Sequence, residues 1–148
     1  MAFHLLRILL YLSSALIIGV GLLFFFLGPD TTFELLLEIS KPLLTDPEPV
    51  VDFVTPSVDS EMRTLSTFLI GYGVLVFLAA KHLRTHLYYV PHLLAVFFAA
   101  GIGRLLSYFM YGTPHQLFYV LLCAELGAPF LLFLIYKLTI SRLAKRTT

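Results

Sequence analysis

Four charged residues are unusual because they lie within or beside long apolar stretches of the chain. Arg104 and Glu125 each interrupt such a stretch, and Glu61 and Arg63 begin another. A charge at the centre of a bilayer costs at least ~2.5–3.5 kcal/mol, so it normally faces the interior of a helix bundle and has a partner. We therefore predict that Arg104 and Glu125 meet inside a small helical bundle and that Glu61 and Arg63 complete the cluster.

The depths of these residues along their helices are compatible with this pairing. The stretches that contain Arg104 and Glu125 are joined by a short turn, so their helices are expected to be antiparallel neighbours. With a rise of about 1.5 Å per residue, Arg104 lies roughly 10 Å and Glu125 roughly 13–15 Å from the end that holds this turn. Arg63 lies near the same end of the bundle, at the start of its own helix, and Tyr108 shares a helix face with Arg104. The predicted site residues are Glu61, Arg63, Arg104, Tyr108 and Glu125.

Two interpretations of this cluster remain open. In the first, the charges only fix the register of the helices, because buried ionic groups often supply specificity rather than net stability. In the second, they form the polar floor of a cavity that opens away from the cytoplasm, because charges within a membrane usually mark functional sites.

The composition indicates an integral membrane protein that forms one domain, residues 1–148. Hydrophobic residues make up 59% and charged residues 13% of the chain, against roughly 45–50% and ~25% in soluble proteins. The apolar residues are grouped into stretches of about 20, the length that an α-helix needs to cross a bilayer. We predict an all-α, four-helix transmembrane bundle with spans at about 5–28, 61–80, 88–111 and 116–138.

Residues 29–60 are predicted to form a long loop between the first two spans. Thr31 and Glu34 have the spacing of a capping box, which predicts a short amphipathic helix from Thr32 to about Leu44. Such a helix is too short to span and would lie on the membrane surface or over the mouth of the bundle. The prolines that follow predict an extended chain, and Ser60 is the expected cap of the second span.

The charges are distributed unevenly, and this distribution predicts the orientation in the membrane. Most acidic residues lie in the first loop: Asp30, Glu34, Glu38, Asp46, Glu48, Asp52 and Asp59. Most basic residues flank the opposite ends of the spans: Arg7, Lys81, Arg84, Lys137, Arg142, Lys145 and Arg146. By the positive-inside rule, both termini are cytoplasmic and the first loop is extracytoplasmic.

Other patterns that carry chemistry are weak or absent. His82 and His86 have a spacing that suits a metal ion, but no third ligand is near them in the sequence. There is neither a Gly-rich phosphate loop nor a Ser-His-Asp set, and the single cysteine excludes an intrachain disulfide. The basic C-terminus is too short to indicate nucleic acid and is explained by anionic lipid. We predict no catalytic residues, no metal and no cofactor.

Several of these residues together resemble a known family. The resemblance is carried by two helix motifs, a turn and two single residues: Asp59–Arg63, Gly103–Ser107, Gly112–Pro114, Glu125 and Pro129. They resemble an uncharacterised group of small bacterial four-helix membrane proteins, known only as a domain of unknown function and placed near the DoxX-like proteins. The resemblance covers roughly residues 5–138 and implies a compact four-helix bundle in a bacterial inner membrane. It implies no activity.

The function that these patterns favour is a non-enzymatic membrane module. It would bind a lipid-like ligand or a membrane partner through the Arg/Glu cluster, and its partners would be membrane lipid and either another membrane protein or a second copy of the chain. The alternative is a small proton-coupled transporter that uses Glu125 and Arg104. A membrane enzyme would need a nucleophile or a set of metal ligands, and the sequence offers neither.

Overall fold

The computed structural model describes residues 2–45 and 55–144, and within these ranges the regular structure is helical. The α-helices are α1 (Ala2–Ser40), α2 (Pro56–Lys81), α3 (Leu83–His86), α4 (Val90–Tyr111) and α5 (Gln116–Ala144), with short 3-10 helices at Lys41–Leu43 and Leu87–Tyr89. Four helical segments are long and apolar enough to cross a membrane: α1, α2, the stretch from α3 through α4, and α5. The all-α prediction is confirmed for the described residues, and the helices indicate a multi-pass membrane protein.

The orientation in the membrane stays a prediction. Helices that are long and apolar enough to span a bilayer do not reveal which membrane they cross or on which side the termini lie. Some of the charges used for the orientation lie outside the described residues: Asp46, Glu48, Asp52, Lys145 and Arg146.

Helix α1 is kinked at Gly28, and this kink determines the path of the first loop. Gly28 has φ of +80°, a conformation that a side chain disfavours, and Pro29 follows it without a backbone N–H. Helical residues begin again at Pro29, so Thr31 lies inside the helix. The prediction that Thr31 caps this helix is wrong. The location of the helix on the membrane surface stays a prediction.

Residues 29–45, which we call the cover segment, lie across one end of the bundle. Phe33 is buried in a small core with Leu117 of α5. Further along, the side-chain amide of Gln116 accepts a hydrogen bond from Thr45 N (3.2 Å) and donates one to Thr45 O (2.9 Å). The cover segment therefore reaches from the kink in α1 to the start of α5. We call this end of the molecule the cover end.

Helix α2 begins at Pro56, one turn earlier than the sequence analysis predicted. Thr55 is its cap, and the Thr55 hydroxyl accepts a hydrogen bond from Val58 N at 3.3 Å. Proline suits the first helical position because its missing N–H would have no partner there. Ser60 is therefore inside the helix, and its prediction as the cap is wrong.

The helices pack as two antiparallel pairs. Helix α1 packs mainly on α2 and α4 mainly on α5, and the pairs are joined chiefly by α1 and α5. At the end opposite the cover segment, all four long helices contribute to one core: Leu6, Leu10, Val76, Ala80, Leu83, Val90, Leu94, Leu132 and Tyr136. Helices α2 and α4 make few contacts. Tyr72 of α2 joins them, since its hydroxyl donates to Leu93 O at 2.6 Å.

Candidate ligand-binding cavity

A cavity of about 510 Å³ lies between the long helices, in the half of the bundle nearer the cover segment. Its volume is in the range of small-molecule sites, which is roughly 300–1,000 Å³. Most of its lining is aliphatic or aromatic, including Ile17, Val20 and Phe24 of α1, Leu65 and Leu69 of α2, Phe97 of α4, and Leu121 of α5. Ser66, Arg104 and Glu125 are the polar residues of the described lining.

The cavity is closed to different degrees on its different sides. Phe33 and Leu36 of the cover segment form its wall at the cover end. The large core of the opposite end begins beyond Phe97, whose ring stacks on that of Tyr72 with 6.2 Å between centroids. Helices α2 and α4 both line the cavity and make few contacts with each other.

Arg104 and Glu125 form an ion pair in the wall of this cavity. Arg104 Nε donates to Glu125 Oε2 at 2.7 Å, and Arg104 Nη2 donates to Oε1 at 2.9 Å. Two parallel hydrogen bonds of this kind fix the relative orientation of both groups as well as their distance. The Arg104 guanidinium carbon also lies 5.6 Å from the centroid of the Phe118 ring. The predicted contact between Arg104 and Glu125 is present.

The pair is partly exposed, which corrects the prediction of a buried salt bridge. The Arg104 side chain is 33% exposed and that of Glu125 is 13% exposed. Both residues line the cavity, so part of their exposed surface is available to a molecule inside it.

A glycine one turn before Arg104 allows the two helices to approach at this level. A Cβ on Gly101 would lie 2.5 Å from Leu126 Cδ2 and 3.3 Å from Glu125 Cβ. Contacts this short would force a shift of the side chain or of the helix, so Gly101 permits the close approach of α4 and α5 beside the ion pair.

The predicted cluster of four charges is wrong, because Glu61 and Arg63 do not join the pair. Glu61 is exposed. Arg63 instead binds Asp59, four residues earlier on α2, with 2.8 Å between Nε and Oδ2. Residues four apart share a helix face whereas residues two apart do not, so Asp59 and not Glu61 was the acidic partner that the spacing favours.

Arg63 stabilises the kink in α1 rather than the cavity. Its Nη1 donates to Phe25 O at 2.6 Å and to Phe26 O at 3.4 Å. Phe25 O has no helical N–H partner, because the residue four positions later is Pro29. Gly28 also leaves room for Arg63, since a Cβ there would lie 2.9 Å from Arg63 Nη2. The positive φ that creates this arrangement could not be read from the sequence.

Tyr108 belongs to the same helix face as Arg104 but does not line the described cavity. It is exposed, and its ring packs edge-on to that of Tyr119 with 6.3 Å between centroids. Ser66 was not among the predicted site residues; it is buried, lines the cavity and donates its hydroxyl to Arg63 O at 2.6 Å. A serine within an apolar stretch gave only a weak signal of such a position.

The described part of the chain contains no group of three or more His, Cys, Asp and Glu residues that could hold a metal ion. The rings of His82 and His86 lie 5.7 Å apart, and the His86 Nδ1 is beside the Thr85 hydroxyl. The predicted absence of a metal from the protein as a whole stays a prediction.

The chain belongs to the family described as domain of unknown function DUF4345, which it matches over residues 5–136. This confirms the resemblance to an uncharacterised family. The match does not address a bacterial origin or a relation to DoxX-like proteins, so both stay predictions. No curated protein and no solved structure matches the chain.

Proposed function

We propose that this member of the DUF4345 family is a non-enzymatic membrane protein that binds a lipid-like amphiphile between its helices. The observation that carries the proposal is a cavity of about 510 Å³ with a largely apolar lining and one ion pair, Arg104–Glu125, in its wall. The apolar part holds the hydrocarbon chain of the ligand, and the ion pair contacts its polar group.

The chemistry of the lining favours a hydrocarbon chain over a water-soluble ligand. Burial of apolar surface contributes roughly 25 cal/mol per Å², and apolar cavities tend to stay dry and take up apolar molecules. A small number of convergent polar groups then sets the orientation of the ligand. Arg104, Glu125 and Ser66 supply these polar groups from three different helices that line the same cavity.

The shape of the cavity also favours a ligand that arrives from the bilayer. Helices α2 and α4 line the cavity with few contacts between them, whereas the cover segment forms the wall at one end. A chain that enters between two transmembrane helices does not have to leave the hydrocarbon phase. This route needs no aqueous channel.

The alternative of a proton-coupled carrier has less support. A carrier gives its substrate access from both sides of the membrane in turn. Here the core of the end opposite the cover segment, which includes Leu10, Val76 and Leu94, fills the bundle beyond the cavity. This packing favours a binding protein.

The proposal is tested by filling the cavity. Ala124→Phe places an aromatic ring in the described lining, and Ala100→Phe places the same ring at an exposed position of α4 outside it. Both variants and the unchanged protein are purified in mild detergent, and the lipid that remains bound is measured by native mass spectrometry and by extraction.

We expect the unchanged protein and Ala100→Phe to retain stoichiometric amphiphile and Ala124→Phe to lose at least nine-tenths of it. Equal retention by both variants, or an unchanged protein with no bound amphiphile after reconstitution with a total membrane lipid extract, would contradict the proposal.

A further inference from the structure

We infer that the ligand of this cavity has an uncharged head group that carries a hydroxyl or a carbonyl, as in a long-chain alcohol or a neutral glyceride. The inference rests on the proposed function and specifies its ligand class. It depends on the charge balance of the cavity and on which hydrogen-bonding atoms the protein leaves free.

The cavity has no net charge to offer a charged head group. Arg104 and Glu125 are the ionisable residues of the described lining, and they neutralise each other at 2.7 Å. Burying an ion in apolar surroundings without a counter-charge is far more costly than burying a hydroxyl that finds a hydrogen bond. A carboxylate head group would therefore have to compete with Glu125 for Arg104, and an ammonium head group with Arg104 for Glu125.

The free hydrogen-bonding atoms match an uncharged polar group. Arg104 uses Nε and Nη2 for Glu125, and among the described residues its Nη1 has no hydrogen-bond partner. Ser66 uses its hydroxyl hydrogen for Arg63 O, which leaves the oxygen lone pairs as acceptors. The cavity thus presents a donor and an acceptor. A hydroxyl can pair with either of them, and a carbonyl can accept from Arg104.

Three probes with the same hydrocarbon chain separate the alternatives: oleyl alcohol, oleate and oleylamine. The full-length protein is freed of bound lipid in detergent, and each probe is titrated at pH 9, which lies between the pKa of a carboxyl raised and that of an ammonium lowered by apolar surroundings. Binding is followed by the rise of the unfolding midpoint with probe concentration. We expect oleyl alcohol to bind at least tenfold more tightly than either charged probe. Equal or tighter binding of oleate or oleylamine would overturn the inference.

Variants of the ion pair should change the preference in opposite directions. Glu125→Gln leaves Arg104 without a counter-charge, so oleate should become the preferred probe. Arg104→Gln leaves Glu125 alone and should favour oleylamine. The double variant R104Q/E125Q is again neutral and should prefer oleyl alcohol, which keeps the test decisive if either single variant does not fold. Glu61→Gln, at an exposed carboxylate, is the control and should leave the order unchanged.

The outcome also distinguishes this inference from the proposed function. If no probe binds the unchanged protein, the proposed function fails together with the inference. If the probes bind and Ala124→Phe abolishes their binding, but the order of the head groups does not follow the charge of the variants, only the present inference fails.

Discussion

The protein contains two arginine–carboxylate pairs whose surroundings give them different roles. Asp59 and Arg63 lie four residues apart on α2, with 2.8 Å between Oδ2 and Nε. Arg104 and Glu125 lie on α4 and α5, and two hydrogen bonds of 2.7 and 2.9 Å join them. The first pair lies beside the kink in α1, and the second lines a cavity.

The difference lies in what the rest of each guanidinium does. Arg63 directs Nη1 to the carbonyls of Phe25 and Phe26, beside the kink at Gly28. Arg104 Nη1 donates no hydrogen bond to any of the described residues. An arginine whose donors are used by the protein supports the fold, whereas one that keeps a donor beside a cavity can also bind a ligand.

The largest effect should come from breaking the pair between helices. Glu125→Ala leaves Arg104 without its counter-charge in a largely apolar wall. Loss of one partner of a buried pair costs ~3–5 kcal/mol, and because this pair is partly exposed we expect about 2–3 kcal/mol of lost stability. Denaturant unfolding in mixed micelles measures it. R104A/E125A should be less destabilised than Glu125→Ala, and a double variant that is worse would refute an uncompensated charge as the cause.

Breaking the pair beside the kink should affect stability without affecting the ligand. Arg63→Ala removes the donor from Phe25 O and Phe26 O, so the unfolding midpoint should fall while the affinity for oleyl alcohol stays within twofold. Arg84→Ala, at an exposed position of the connection before α4, is the control and should leave both unchanged. A loss of affinity in Arg63→Ala as large as that in Arg104→Ala would remove the distinction between the two arginines.

The conformation of the kink can be tested by alanine substitutions at two glycines of α1. Gly28→Ala must adopt φ near +80°, which costs roughly 1–2 kcal/mol in a residue with a Cβ, and its methyl group would also approach Arg63. Gly19→Ala places the same methyl group in open space within the same helix, where alanine is favoured over glycine by about 1 kcal/mol or less. The two variants should therefore move the unfolding midpoint in opposite directions. A fall of the unfolding midpoint of equal size in both variants would show that the positive φ of Gly28 adds no cost to the alanine substitution.

The smallest effect should come from Glu61, which the sequence analysis placed in the charged cluster. Its side chain is exposed and outside the described lining. Glu61→Gln should change the stability by less than about 0.5 kcal/mol, as is usual for surface positions. Destabilisation comparable to that of Glu125→Ala, measured in the same micelles, would show that Glu61 does interact with the charged cluster.

The sequence was informative about the residues whose position follows from helix geometry. Hydropathy indicated four apolar helices, and counting residues from the shared turn placed Arg104 and Glu125 at similar depths. Both inferences use a fixed rise per residue, which tertiary packing does not change. The partner of Arg63 was also available from spacing, since Asp59 is four residues away and Glu61 is two.

The features that the sequence did not reveal depend on backbone torsions and on packing between distant helices. The φ angle of Gly28 sets the direction of the cover segment. A Gly-Pro pair is compatible with several turn types, so the sequence does not specify this angle. The cavity lies where α2 and α4 make few contacts with each other, and its apolar lining has the same kinds of residue as a packed core. The hydrogen bonds between Thr45 and Gln116 join the end of the cover segment to the first residue of α5, a contact for which periodicity carries no information.

The cover segment is attached at its two ends by interactions that respond differently to ionic strength. At the Gly28 end, Arg63 holds the neighbouring kink and pairs with Asp59; these side chains are 38% and 40% exposed, and mobile ions screen exposed charges over about 10 Å at 0.1 M. At the other end the amide of Gln116 and the backbone of Thr45 carry no net charge. Added electrolyte therefore weakens the ion pair beside the kink and spares the hydrogen bonds that hold the segment at the start of α5.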